Sequence, residues 1–125
     1  MQQGRMLLIP EQQCIWPEVK VLTSFPQRLV GLLTSAGLPR GQALWFPHCN
    51  AIHSWGMRFA LDVVGLDAQL RLVAVHRNIQ PGRILTLRAA SSLIECEAGL
   101  PFPIEHWLGR QLCFEEKEEA YEFAN

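Results

Sequence analysis

The residues of this sequence that could take part in chemistry are concentrated between His48 and Glu95. An aspartate that orients a histidine is the arrangement used by general bases, and Asp62 and His76 could form such a pair. The sequence has no Ser/His/Asp motif and no nucleotide fingerprint, so no catalytic residue is assigned. The residue types suggest one candidate binding surface, made of His53, Trp55, Met57, Arg58, Asp62, His76 and Glu95.

Whether Asp62 and His76 meet depends on the hairpin that joins their two strands. A three-residue loop at 67–69 would put Asp62 opposite Ala74 and make His76 its diagonal neighbour, about 7–8 Å away by backbone. Arg58 would lie on the same face of this hairpin. A second interpretation is structural: Asp62 pairs with Arg58 or His76 only to satisfy partly buried charge at the end of a sheet.

Possible metal ligands recur at a spacing of four residues in Cys49, His53 and Met57. A blue-copper site needs a further upstream histidine, and none precedes His48. In a straight strand, residues four apart are separated by about 13 Å, which is too far to share an ion. A zinc site made from Cys49 or His48 with His53 and His76 is left open through a bend in the chain. No tight Cys/His pair is present, so we predict neither a metal nor a cofactor.

Short strands predominate among the elements that must position these side chains. Apolar or alternating stretches predict the strands, two of which pair as a hairpin, and an irregular or short helical segment is predicted near the C-terminal end of the domain. The strands are predicted at 5–9, 18–22, 43–46, 51–55, 57–66, 70–76, 84–87, 92–96 and 111–114, a turn at 80–83, and the irregular piece near 104–108.

One short α-helix is predicted near residues 25–33. Ser24 is a favourable N-cap with Gln27 three residues later, and an apolar stripe follows at Phe25, Leu29, Leu32 and Leu33. The predicted fold is therefore mainly β: a small antiparallel two-sheet sandwich or flattened barrel, jelly-roll-like, with this helix beside it.

Length and charge agree with one soluble domain. The chain has 125 residues and a formal net charge of -1, which argues against a nucleic-acid-binding surface. We predict a β-rich domain over residues 1–114 and an acidic C-terminal tail over 115–125. The first residues lack the long apolar core of a secretory signal, and no stretch is long enough to span a membrane, so we expect a cytoplasmic protein.

Four stretches together resemble an uncharacterised bacterial and archaeal family, the domain of unknown function 192. They are His53–Asp67 with its Gly-Met-Arg-Phe core, Arg28–Leu33, Pro81–Arg83 and Ser92–Gly99. The resemblance implies a small β-sandwich of jelly-roll type with the helix packed at one side, and it implies no established activity.

The sequence departs from the pattern of that family in two ways. Ala68 and Gln69 occupy positions where relatives often have glycine, which makes the hairpin turn harder to predict. Gly65 stands where a large apolar residue is common, so a small gap is expected beside it.

Two functional hypotheses follow. The first, which we favour, is a binding module that uses the surface around His53, Trp55, Arg58 and Glu95 to hold a small ligand or a protein partner. The alternative is a metal-dependent or general-base hydrolase that uses His53, Asp62, His76 and Glu95.

Overall fold

The computed structural model describes residues 2–23, 38–54 and 57–118. These residues form nine strands and one short 3-10 helix, which confirms a mainly β fold. The predicted α-helix near 25–33 and Trp55 of the candidate surface lie outside the described residues. The strands are β1 (Gln3–Leu8), β2 (Gln13–Val21), β3 (Gln42–Phe46), β4 (Ala51–His53), β5 (Leu61–Leu66), β6 (Leu72–Ile79), β7 (Ile84–Thr86), β8 (Ser92–Glu97) and β9 (Leu112–Glu116), and the 3-10 helix is Ile104–Trp107.

Seven of the strands form one curled sheet in the order β6-β5-β8-β3-β2-β1-β9, and β4 pairs with β7 in a small second sheet. The long sheet curls into a half-barrel, so that its two outer strands approach each other at one end. There Arg71 bridges to Gln111, and the Leu72 N–H donates to the Arg110 carbonyl at 2.8 Å. The jelly-roll connectivity stays a prediction.

The long sheet is antiparallel, as predicted, except at one pair of strands. β2 and β3 run parallel, from Glu18 opposite Gln42 to Val21 opposite Trp45. Parallel neighbours need a crossover of a dozen or more residues, and residues 22–41 are long enough to provide it.

Each face of the long sheet carries its own hydrophobic core. The first core includes Trp16, Val64 and Ile94, whereas the second includes Val63 and Leu93. Neighbouring residues of one strand therefore contribute to opposite cores, as strand geometry requires. All six residues of β5 are buried, because both faces of that central strand are covered.

The hairpin of the candidate surface differs from the prediction in its start and its register. β5 begins at Leu61 rather than at residue 57, and the loop to β6 spans 67–71 instead of 67–69. The Asp67 Oδ1 atom organises this loop by accepting the N–H groups of Gln69 and Arg71, each at 2.9 Å. The longer loop and a register shift between Gly65 and Leu66 together place Val63 rather than Ala60 opposite His76.

The last strand extends into the acidic end of the chain. β9 includes Glu115 and Glu116, and Glu115 accepts a hydrogen bond of 2.7 Å from the Arg5 guanidinium on β1. The division into a domain and an acidic tail stays a prediction. Within the described ranges, no helix has the length and apolar character needed to cross a membrane.

The gap expected beside Gly65 is absent, because the neighbouring backbone brings Ala90 against it. A Cβ atom added at Gly65 would lie 3.0 Å from the Ala90 Cβ and 3.5 Å from the Ala74 Cβ. The absence of a side chain at Gly65 therefore allows Ala90 of the second core to lie close to β5.

We therefore expect Gly65→Val to lower the free energy of unfolding by about 1–3 kcal/mol, since a larger side chain would overpack this site. Urea denaturation measures the loss. The double variant Gly65→Val, Ala90→Gly should recover part of it. A single variant as stable as the parent chain would contradict this packing.

Candidate functional site

Glu95 is a buried residue whose carboxyl group has no hydrogen-bond partner in the described part of the chain. Three other buried polar atoms there, Trp16 Nε1, Trp45 Nε1 and Ser92 Oγ, also lack a partner, but none of them is ionisable near neutral pH. Glu95 lies in β8 between Leu44 of β3 and Val63 of β5, and it is 5% exposed. In the part of the chain that the structure describes, it accepts no hydrogen bond and forms no ion pair. Burial raises the pKa of this carboxyl from 4.5 to about 7. Near neutral pH the group can therefore be either a proton donor or an anion.

Glu95 belongs to a row of side chains on the second face of the sheet. Glu95 and His76 both lie opposite Val63, one on each side of β5. Two strand spacings separate the Glu95 and His76 backbones by about 10 Å. His76 is exposed on its strand, whereas Met57 is buried in the second core. Three of the predicted surface residues thus belong to this face.

Asp62 lies on the other face, so its predicted pairing with His76 is wrong. It is paired with Cys96 of the first core, and its side chain is 1% exposed. The physical reason is a register shift of one residue between Gly65 and Leu66. The two extra loop residues alone would have kept Asp62 and His76 on one face, whereas the one-residue shift directs them to opposite faces.

Four donors satisfy the buried Asp62 carboxylate. Its Oδ1 atom accepts the Asn78 N–H at 2.9 Å. Its Oδ2 atom accepts the N–H groups of Gly99 and Leu100 at 3.0 and 2.9 Å, and the Arg77 Nη1 at 3.0 Å. A carboxylate so fully bonded is a structural group, as the second interpretation of the sequence supposed, although its cation is Arg77 rather than Arg58 or His76.

Arg77 extends this network to the 3-10 helix. It contacts both carboxylate oxygens of Glu105, at 2.7 and 2.9 Å, and donates to the carbonyl oxygens of Leu100 and Phe102. The Glu105 hydrogen bonds raise the pKa of Arg77, and the same bonds lower the pKa of Glu105 to about 2. The Asp62–Arg77–Glu105 network therefore fixes the loop that follows β8.

The remaining predicted residues are more dispersed. His53 ends β4 and Arg58 lies in the bend before β5, and both are exposed. Among the described residues there is no group of three or more His, Cys, Asp and Glu side chains that could hold a metal ion. The binding role of the seven residues stays a prediction.

The sequence did not predict the structural roles of two residues, Ser54 and Arg77. Ser54 is fully buried, and its hydroxyl donates to the Gln80 carbonyl at 2.7 Å and accepts the Arg83 N–H at 2.9 Å. It thereby fixes the 80–83 turn to the end of β4. Arg77 was missed because its role depends on the hairpin register, for which the only sequence signal was the turn-forming Asp67.

Residues 7–102 of the chain match the family model of DUF192, described as "Uncharacterized ACR, COG1430". No curated protein matches it.

Two solved structures share the fold. One is a protein of Sinorhizobium meliloti 1021 proposed to be a transcription regulator, with a TM-score of 0.71 and 16% identity over 90% of this chain and 92% of that one. The other is a protein of unknown function from Novosphingobium aromaticivorans DSM 12444, with a TM-score of 0.71 and 13% identity over 90% and 86%. At such identities the likeness shows the fold alone.

The Asp62 network predicts a large effect of removing its central carboxylate. Asp62→Ala should lower the free energy of unfolding by about 3–5 kcal/mol, because three N–H groups and part of Arg77 lose their buried acceptor. Glu105→Ala is the control and should cost much less, since Glu105 is about half exposed. Urea denaturation of both variants tests this. Equal losses would show that Asp62 has no special structural role.

The raised pKa of Glu95 predicts a pH-dependent stability. The folded state retains this proton up to about pH 7, whereas the unfolded state loses it near 4.5. The folded state thus binds more protons between these values, and stability should fall as pH rises, by up to about 1 kcal/mol per pH unit, and then level off.

Denaturation of the parent chain and of Glu95→Gln across this pH range measures the effect. The difference in stability between the two proteins should grow in favour of Glu95→Gln up to about pH 7. Glu97→Gln, on the same face but exposed, should follow the parent chain. A constant difference between the parent chain and Glu95→Gln would contradict the burial of an ionisable Glu95.

Proposed function

The chain belongs to the DUF192 family, which is described as uncharacterised, and from the chemistry of its buried Glu95 we propose that it is a small-ligand-binding domain. The single observation behind this proposal is a carboxyl group, 5% exposed, that has no hydrogen-bond partner in the described part of the chain. Buried polar groups in native proteins are nearly always bonded, so an unbonded one calls for a functional explanation.

The energetics favour a ligand that donates to Glu95. A buried acceptor without a donor costs about 1–3 kcal/mol, and a bound donor would recover that free energy. The surroundings add an apolar requirement, because Leu44 and Val63 flank the carboxyl and Met57 belongs to the same core. The ligand would therefore combine an apolar body with a hydrogen-bond donor, and an amine is the donor that best matches a carboxylate.

The hydrolase alternative has less support. It needs His76 oriented by an acid, but both oxygens of Asp62 are engaged on the opposite face. Glu95 and His76 share a face, but their backbones are about 10 Å apart. Binding requires only the unpartnered carboxyl and its apolar surroundings.

A series of primary alkylamines, such as butylamine and hexylamine, tests the proposal. We expect them to shift the backbone amide signals of Leu44, Val63 and Glu95 in nitrogen-15 NMR spectra, more strongly with the longer chain. Binding should be tighter above about pH 7, because the ionised carboxyl pairs with the ammonium group.

Glu95→Gln should weaken amine binding at least about tenfold, the equivalent of one charged hydrogen bond. Glu97→Gln is the matched control, since it removes an exposed carboxyl two residues away on the same face, and it should leave binding unchanged. The proposal fails if no amine binds the folded parent chain, or if Glu95→Gln binds as well as the parent chain does.

A further inference from the structure

The last strand of the long sheet, β9, pairs with β1 on one side, and its other side is open in the described part of the chain. The Gln111 carbonyl accepts the Ile9 N–H at 3.1 Å, and the Lys117 N–H donates to the Gln3 carbonyl at 2.8 Å. Residues 111 and 117 therefore direct their main-chain groups towards β1. Because alternate residues of a strand face the same side, residues 113 and 115 do so as well.

The residues between them direct their N–H and C=O groups to the open side, which we name the β9 edge. Leu112 shows this direction, because its N–H donates to the Leu70 carbonyl at 2.8 Å, away from β1. Phe114 and Glu116 follow in the same phase. Apart from a 3.9 Å contact of the Cys113 thiol with the Phe114 carbonyl, their main-chain groups have no partner among the described residues. An added strand binds to such a row of free donors and acceptors.

Side-chain contacts hold the β9 edge in place from both faces of the sheet. The Phe114 ring lies 5.2 Å from the Trp45 ring, measured between centroids. It also lies against Gly4, where an added Cβ atom would come within 2.6 Å of the ring. On the opposite face, Glu115 pairs with the Arg5 guanidinium at 2.7 Å. A partner could therefore add to β9 without first ordering it, which favours binding.

The other end of the sheet is flanked by the chain itself. The Gly109 N–H donates to the Leu72 carbonyl of β6 at 2.7 Å. Arg77, also in β6, is bonded to Glu105 of the 3-10 helix. The segment 105–109 thus runs along β6, whereas among the described residues nothing of this kind lies beside residues 113–116 of β9.

The charge of the β9 edge indicates what kind of partner fits it. Residues 115–118 contain three glutamates and one lysine, a net charge of -2. Glu115 is neutralised by Arg5, whereas Glu116 has no ion pair within the described ranges. A second copy of this chain would bring the same acidic segment against itself, and like charges oppose such a pairing. A basic partner is complementary to this edge.

We propose that the β9 edge binds an extended basic segment of a partner protein as an added antiparallel strand. The partner residues opposite Phe114 and Glu116 would exchange main-chain hydrogen bonds with them. A lysine fits opposite Glu116, and an apolar side chain fits opposite Phe114, which is partly buried. The partner sequence therefore has a basic residue followed two positions later by an apolar one. This site is separate from Glu95, because β8 lies four strands away from β9 in the sheet.

The capped peptide Lys-Thr-Lys-Thr-Val-Thr, labelled with fluorescein, tests the proposal in fluorescence anisotropy titrations with the full chain. We expect saturable binding, and shifts of the nitrogen-15 NMR signals centred on the amides of residues 113–118. The same peptide with glutamate in place of both lysines should bind at least about tenfold more weakly.

N-methylation of the peptide separates strand addition from simple charge attraction. Methylating the second lysine and the valine removes the two N–H groups that would face β9, and it should weaken binding at least about tenfold. Methylating the first two threonines is the matched control. Their N–H groups would point away from β9, so binding should be unchanged.

Glu116→Lys should weaken binding of the basic peptide at least about fivefold, because a repulsion replaces an attraction. Its melting temperature should stay close to that of the parent chain, since Glu116 is exposed. Glu97→Lys makes the same charge change at an exposed residue of β8 and should bind like the parent chain.

Equal binding of the two methylated peptides would overturn the proposal. Equal binding by Glu116→Lys and Glu97→Lys would do so as well, as would the absence of binding to the parent chain. Failure of the amine experiment at Glu95 would leave this result unaffected, because the two titrations report on different amides.

Discussion

The fold depends on a buried charge that is fully satisfied. The Asp62 carboxylate lies near the start of β5 and joins that strand to β6 and to the loop after β8. Burying a charge is tolerable only when partners replace the water that it loses, and Arg77 and three main-chain N–H groups do so here. Because neighbours in a strand alternate, fixing Asp62 towards the first core directs Val63, and through pairing Glu95, towards the second.

The two buried carboxyl groups of the sheet thus represent opposite cases. The Asp62 carboxylate accepts four hydrogen bonds and stabilises the structure. The Glu95 carboxyl accepts none within the described residues, and burial raises its pKa to about 7. The same burial that costs stability at Glu95 makes its protonation state responsive near neutral pH. A structural role explains the first group, and the proposed ligand would account for the second.

The periodicity of the sequence predicted where the strands lie along the chain, but not which face of the sheet each side chain occupies. Alternation and turn residues predicted a strand at every observed position, although β2 begins five residues before and β5 four residues after the predicted start. Pro81–Gly82 forms the predicted turn, with Gly82 at a φ of +83°. The predicted pairing of Asp62 with His76 was wrong because the hairpin register shifts by one residue between Gly65 and Leu66, which directs the two side chains to opposite faces. The burial of Glu95 could not be predicted, since alternation assigns a side chain to a face without saying what covers that face.

The pairing of β1 with β9 has a consequence for how the chain acquires its structure. Residues more than a hundred positions apart meet in that pair, with Gly4 opposite Glu116. During synthesis β1 and β2 can associate early, yet the free side of β1 has no partner until almost the whole domain has been translated. Contacts between such distant segments make folding slow, and until β9 arrives the nascent sheet has an open edge to which another chain could add.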